Sequence, residues 1–186
     1  DGLGWRSFSG TSAAAAAVAG AAARLRAVRP GWGADRIRSA LRTSALPLEG
    51  DPVLAQGSGR LRPALARRPG LVLDLDPADL RRYLEGDLDP VEVNTPSVMV
   101  RGGPVSVVRR VRNVSDDARY FSSRAEGFTR HQVVVRPAAL RLGPGETGEF
   151  VVEVAGGGAG GRPDDGTVTW SGADGTRARI PVVISR

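Results

Sequence analysis

Ser9-Gly10-Thr11-Ser12-Ala13-Ala14-Ala15-Ala16-Ala17-Val18-Ala19-Gly20 is the stretch on which the reading of this 186-residue chain turns. A glycine, two hydroxyl residues and a run of alanines is how a helix begins, because Thr and Ser oxygens can serve the orphan amides of a first turn and alanine is the best helix former. The spacing predicts a helix from a Thr11 or Ser12 cap to about Arg29, with Val18, Ala22, Leu25 and Val28 on one face. Arg24, Arg26 and Arg29 crowd its last turns, where cations suit the negative helix end, and Pro30-Gly31 stops it. A second helix is predicted from about Ala34 to Ser44, with Ile37, Ala40 and Leu41 facing inward.

Beyond this point the character of the chain changes twice. Residues 45 to 90 are punctuated by Pro47, Pro52, Gly57, Gly59, Pro63, Pro69 and Gly70 and read as a connector. It contains a short helix near Pro77 to Leu84 that Asp76 is placed to cap. From Val91 onward short β-branched runs recur between turn residues: Val91–Val100, Val105–Val114, Ala118–Arg124, His131–Arg136, Gly148–Val154, Thr167–Ser171 and Arg177–Ile184. About seven short strands at this spacing predict a β-sandwich. Gly156 to Gly166 reads as a flexible loop between strands, since no Lys-Ser/Thr follows its glycines to make a phosphate cradle.

Composition narrows the function classes. There is no cysteine, so neither a disulfide framework nor a thiolate metal site is available. The formal charge is +6 and every basic side chain except His131 is arginine. Those arginines are scattered through every segment, with no clustered motif of the kind nucleic-acid binding needs, so no nucleic-acid partner is expected. Arginine without lysine, beside abundant Ala and Gly, reads as the codon bias of a GC-rich, bacterial source. The longest apolar run, Ala13 to Ala23, is too short to span a bilayer, so no membrane partner is expected. The opening at Asp1, with neither Met nor leader, reads as that of a fragment or processed product.

The opening motif resembles the nucleophile motif of the subtilisin family, Gly-Thr-Ser-Met-Ala-x-Pro-His-Val-x-Gly. Gly10, Thr11, Ser12, Ala14, Val18 and Gly20 match in register, while Ala13, Ala16 and Ala17 stand where Met, Pro and His are usual. The likeness continues in order. Pro30 to Ala45 resembles the family's next helix, and Gly57 to Leu65 looks like the glycine turn and short helix that close the peptidase domain. Arg68 to Asp74 and Asn94 to Ser97 look like the connector of plant-type subtilases. The remainder, with Gly166 to Ser171, is similar to their fibronectin-type-III-like domain. The fold class implied is α/β, the C-terminal helices of an incomplete subtilisin-like peptidase domain, followed by an all-β fibronectin-III-like sandwich. The boundaries expected are 1–68, a connector at 69–90, and 91–186.

What the resemblance implies chemically is a secreted serine endopeptidase acting on polypeptides through an acyl-enzyme on Ser12. Ser12 is then the catalytic nucleophile and supplies an oxyanion-binding backbone N–H, with Gly10, Thr11 and Ala14 as supporting motif residues. A serine hydroxyl needs a base and an orienting carboxylate. In this family Asp and His precede Ser, so both are expected from an upstream peptidase segment, the chain's implied partner. No cofactor and no metal are implied. His131 reads as an ordinary surface or edge residue, and a Ser-Asp-His order is disfavoured because Ala14 replaces the last glycine of Gly-x-Ser-x-Gly. Asp116-Asp117 and Asp164-Asp165 read as solvated turns. Asn113-Val114-Ser115 fits a glycosylation pattern that recurs often by chance. The competing reading is a catalytically inactive fragment or paralogue whose sandwich is a binding or structural module.

Overall fold

The computed structural model describes residues 8–101, 104–157 and 162–185. Helix α1 spans Thr11–Val28 and α2 spans Ala34–Thr43, followed by the short turns of helix α3 (Val53–Gln56) and α4 (Pro63–Ala66). The N-cap of α1 is Gly10, at φ 140°, and no side chain caps the helix. Thr11 and Ser12 were the expected caps, but both already lie inside the helix. A capping hydroxyl must come from the residue just before it. Only Ala21 and Leu25 of α1 are buried, one turn apart, whereas Val18 and Val28 are 44% and 47% exposed. The expected apolar face is therefore used only in its C-terminal half, where α1 meets α2 and α4. Ile37, Ala40 and Leu41 of α2 face inward as expected and join Ala21, Leu25, Trp32, Ala66 and Val72 in a small core.

The connector is more than a spacer. Strand β1 (Leu71–Val72) pairs antiparallel with β3 (Val105–Asn113), an element the sequence pattern does not reveal. Alternation along this short strand splits its side chains between two cores. Val72 belongs to the helical core, while Leu71 and Leu73 belong to the sandwich. Helix α5 (Pro77–Glu85) follows the expected rule at both ends: Asp76 Oδ1 accepts from the Ala78 N–H at 2.8 Å, and Gly86 closes it at φ 84°.

The remaining strands are β2 (Val98–Arg101), β4 (Arg119–Glu126), β5 (His131–Arg136), β6 (Ala139–Leu142), β7 (Thr147–Gly156), β8 (Asp164–Gly172) and β9 (Arg177–Ser185). They form a four-stranded sheet in the order β1-β3-β7-β5 facing a five-stranded sheet in the order β2-β9-β8-β4-β6. All pairings are antiparallel except β2 with β9. Strict alternation in β8 sends Val168 and Trp170 inward and Thr167, Thr169 and Ser171 outward. Trp170 meets Phe150 of the opposite sheet edge-on at 5.1 Å between centroids, an arrangement aromatic quadrupoles favour.

One expected strand and one expected loop are corrected. Of the run Val91–Val100 only its end is β2. The preceding residues form a strap because side chains occupy the hydrogen-bonding positions a partner strand would take. Asn94 donates to the carbonyls of Asp74 and Arg110 and accepts from Arg110 N–H. The buried Arg109 guanidinium donates to the carbonyls of Val91, Thr95, Ser97 and Val108. Burial lowers the Arg109 pKa to about 10. The loop expected over Gly156–Gly166 is shorter, since β7 runs to Gly156 and β8 begins at Asp164. Its residues 158–161 lie outside the described residues.

Candidate functional site

Gly10 sets the local geometry at the start of α1. Its φ of 140° is open to glycine and strained for other residues, although a Cβ there would meet nothing within 4 Å. Glycine is therefore required here for backbone conformation. The first helical hydrogen bond runs from Ala14 N–H to Gly10 O at 3.1 Å. The amides of Thr11, Ser12 and Ala13 thus lie in the part of the first turn that has no intrahelical acceptor, at the positive end of the helix dipole. Ser12 is exposed, and its hydroxyl makes no hydrogen bond to any described residue. Ala14 to Gly20 are all exposed too. Beside this bare surface, Val18, Ala22, Ile37 and Leu41 line an open apolar groove of about 560 Å³ between α1 and α2.

The structure does not bring a base to Ser12 among the described residues. The histidine, His131, begins β5, the edge strand of its sheet, as the sequence suggests, but its side chain is not free at the surface. Its Nδ1 lies 3.0 Å from Asp164 Oδ2, and its side chain is only 11% exposed. Asp164, expected in a solvated turn, is buried at the first position of β8. It accepts from the backbone N–H of Thr129, Arg130 and His131 and from the Thr129 hydroxyl. Burial acts to raise its pKa, but these donors outweigh it and hold the carboxyl well below the usual range. A turn motif in sequence carries no sign of this clasp, since its partners lie 33 to 35 residues away.

Asn113 fits a glycosylation pattern that the sequence reading discounts as chance. It is fully buried, and its amide donates to the carbonyls of Asp117, Leu142 and Gly143. A side-chain nitrogen committed in this way is not a glycosylation acceptor. At the other joint of the molecule, Asp74 receives Arg36 of α2 through both carboxylate oxygens, at 2.9 and 2.6 Å, and Arg112 of β3 at 2.7 Å. Burial raises the Asp74 pKa and the two guanidinium groups lower it further, so the net direction is downward. Next to it, the Ser39 hydroxyl accepts from Leu73 N–H at 2.8 Å.

Comparison with known proteins accounts for both halves of the chain. The subtilase family matches residues 4–71, and the fibronectin type-III domain matches residues 92–184. The chain is 28% identical to subtilisin-like protease SBT2.5 of Arabidopsis thaliana over 98% of its own length and 28% of that protein's. It is 29% identical to SBT1.9 of the same plant, covering 74% of this chain and 22% of that protein. It is 40% identical to SBT4.14, over 43% of this chain and 11% of that protein. The chain therefore spans no more than about a quarter to a third of the length of these relatives. That they are plant proteins runs against the bacterial source read from arginine usage, because composition follows genome base content and not lineage. Both matches follow the chain order of helices and then sandwich: the chain carries a fibronectin type-III domain, preceded by a segment that matches the subtilase family.

Proposed function

We propose that this chain is the nucleophile-bearing part of a serine endopeptidase, with Ser12 attacking the peptide carbonyl to form an acyl-enzyme. The observation that carries the reading is the placement of Ser12. Its exposed, unbonded hydroxyl sits in the first turn of α1, where free amides and the helix dipole favour a developing oxyanion. Gly10 and Thr11 lead the chain into that turn, and Ala14 keeps the surface behind it small.

The base and its orienting Asp come, in this reading, from an upstream peptidase segment whose sheet covers Ala14–Gly20 and the groove lined by Val18 and Ile37. The His131–Asp164 pair is not that base, because Asp164 is tied to the sandwich by several backbone amides. The division into residues 1–68, a connector at 69–90 and 91–186 belongs to the same proposal, as does secretion of the parent enzyme with a polypeptide substrate. Among the described residues no helix is long and apolar enough to cross a membrane.

The test is labelling of the natural gene product with a serine-directed fluorophosphonate, read by peptide mass spectrometry. An adduct on Ser12, lost in Ser12→Ala, is the expected result. A folded product that takes no label would mean the three alanine departures, Ala13, Ala16 and Ala17, belong to an inactive relative, leaving the sandwich as a binding module.

A further inference from the structure

The outward face of the five-stranded sheet gathers arginines that lie far apart in sequence. Across β4, β8 and β9 the register aligns Arg124, Thr169 and Arg179 in one row and Ser122, Ser171 and Arg177 in the next. On the adjoining edge Tyr120 pairs with Arg141 of β6, whose guanidinium lies 5.8 Å from the ring centroid. Neighbouring strands are about 4.8 Å apart and alternate residues about 6.8 Å apart, so Arg124 stands about 10 Å from the Arg177–Arg179 pair at backbone level. Two acids lie on this face: Glu126, 3.3 Å from Arg124 in an exposed pair, and Asp165 at its far end, which accepts from the Val53 N–H. Arg177 and Arg179 make no salt bridge within 4 Å among the described residues, although Glu126 attracts Arg179 at longer range against the repulsion of Arg177. The other end of the face is closed, because Pro181 and Val183 are buried and α3 packs on β9.

We propose that this face binds an anionic polysaccharide, a polymer carrying carboxylate or sulfate groups. The cations stand side by side on a flat sheet and do not converge on a point. That arrangement matches a ligand with repeated charges and not one small anion. The hydroxyls of Ser122, Thr169 and Ser171 lie in the same two rows as the guanidinium groups, where they can exchange hydrogen bonds with sugar hydroxyls. Guanidinium forks suit carboxylate and sulfate oxygens in paired contacts. A protein partner is disfavoured because the described side chains between Arg124 and Arg177 on this face are charged or carry hydroxyls, with no large apolar anchor among them. Single-stranded nucleic acid is disfavoured because it needs several stacking rings, and Tyr120, the aromatic residue here, is already engaged by Arg141. A second copy of this chain, with a net charge of +6, is repelled.

The experiment measures binding of the full chain to immobilised polygalacturonate and heparin at about 100 mM salt. Three variants are compared with the wild type: Arg124→Gln/Arg177→Gln/Arg179→Gln, the equally neutralised Arg24→Gln/Arg62→Gln/Arg81→Gln, and Ser171→Glu, which puts one acid among the arginines. We expect the first and third to weaken polymer binding by about tenfold or more and the second by less than about twofold. Preference between the two polymers then identifies carboxylate or sulfate as the group recognised. Equal loss in the two triple variants, no wild-type binding, or equal affinity for polyglutamate or single-stranded DNA would overturn the proposal. None of these readings depends on whether Ser12 takes a label.

Discussion

Asn113 and Asp164 carry out at single-residue scale what disulfides do elsewhere, since each ties chain segments together with one buried polar side chain. Asn113 holds the β3 end to the loop at Asp117 and to the end of β6, and its Oδ1 accepts from Ser115 N–H and Oγ. Asn113→Ala leaves several buried carbonyls without a donor, and we expect a loss of about 2–3 kcal/mol in urea unfolding. Intact-mass analysis of material from a glycosylating host should show no glycan on Asn113. Asp164 has a folded-state pKa below its unfolded value. Its contribution is therefore complete above the ordinary carboxylate pKa of about 4 and is lost as pH falls below it. Asp164→Asn should reduce stability at neutral pH and flatten the acid limb of the stability–pH curve, read as urea midpoints between neutral and acid buffer. An unchanged acid limb would mean that other carboxylates govern it.

At the scale of elements, α2 is the hinge piece between the helical part and the sandwich. One face of it builds the small core with Leu25 and Ala66, and its polar side is fastened by Arg36 to Asp74 and by Ser39 to Leu73. Asp74→Ala frees both Arg36 and Arg112. The pair is partly exposed, so we expect a cost of only about 1–2 kcal/mol. The sharper readout is hydrogen exchange: amides of α2 should exchange faster while those of β7, in the sandwich centre, keep their protection. Helix α1 is itself uneven. Amides in its bare Ala14–Gly20 half should exchange faster than those around Ala21 and Leu25, which are packed. Uniform protection along α1 would contradict the exposure of that half.

For the whole molecule, the two cores differ in self-sufficiency. The sandwich core holds Trp170, Phe121, Phe150 and a ladder of valines and isoleucines, and it includes Leu71 and Leu73 from the connector. The helical core is small and borrows Val72 from the same strand. A piece of residues 69–186 should therefore unfold cooperatively. One of residues 91–186, lacking two fully buried leucines, should be less stable by several kcal/mol, at about 2–5 kcal/mol for each large core side chain removed. Residues 1–68 alone should show no cooperative thermal transition by circular dichroism, because their apolar faces lack what they pack on.

The sequence by itself determined the features that rest on neighbours along the chain. Alanine runs, the Asp76 cap, and alternation in β3 and β8 can each be read within about ten residues, and the structure agrees with them. The motif around Ser12 was legible for the same reason, as one continuous string. Tertiary structure alone decided what depends on distant partners. It placed β1 in the sandwich, turned residues 91–97 from a strand into a strap under Asn94 and Arg109, and buried Asp164 beneath His131. It also assembled scattered arginines into one face. Hydrogen bonds and charge clusters of this kind join residues tens of positions apart, and no local period encodes them. They exist only once two twisted sheets have brought those positions together.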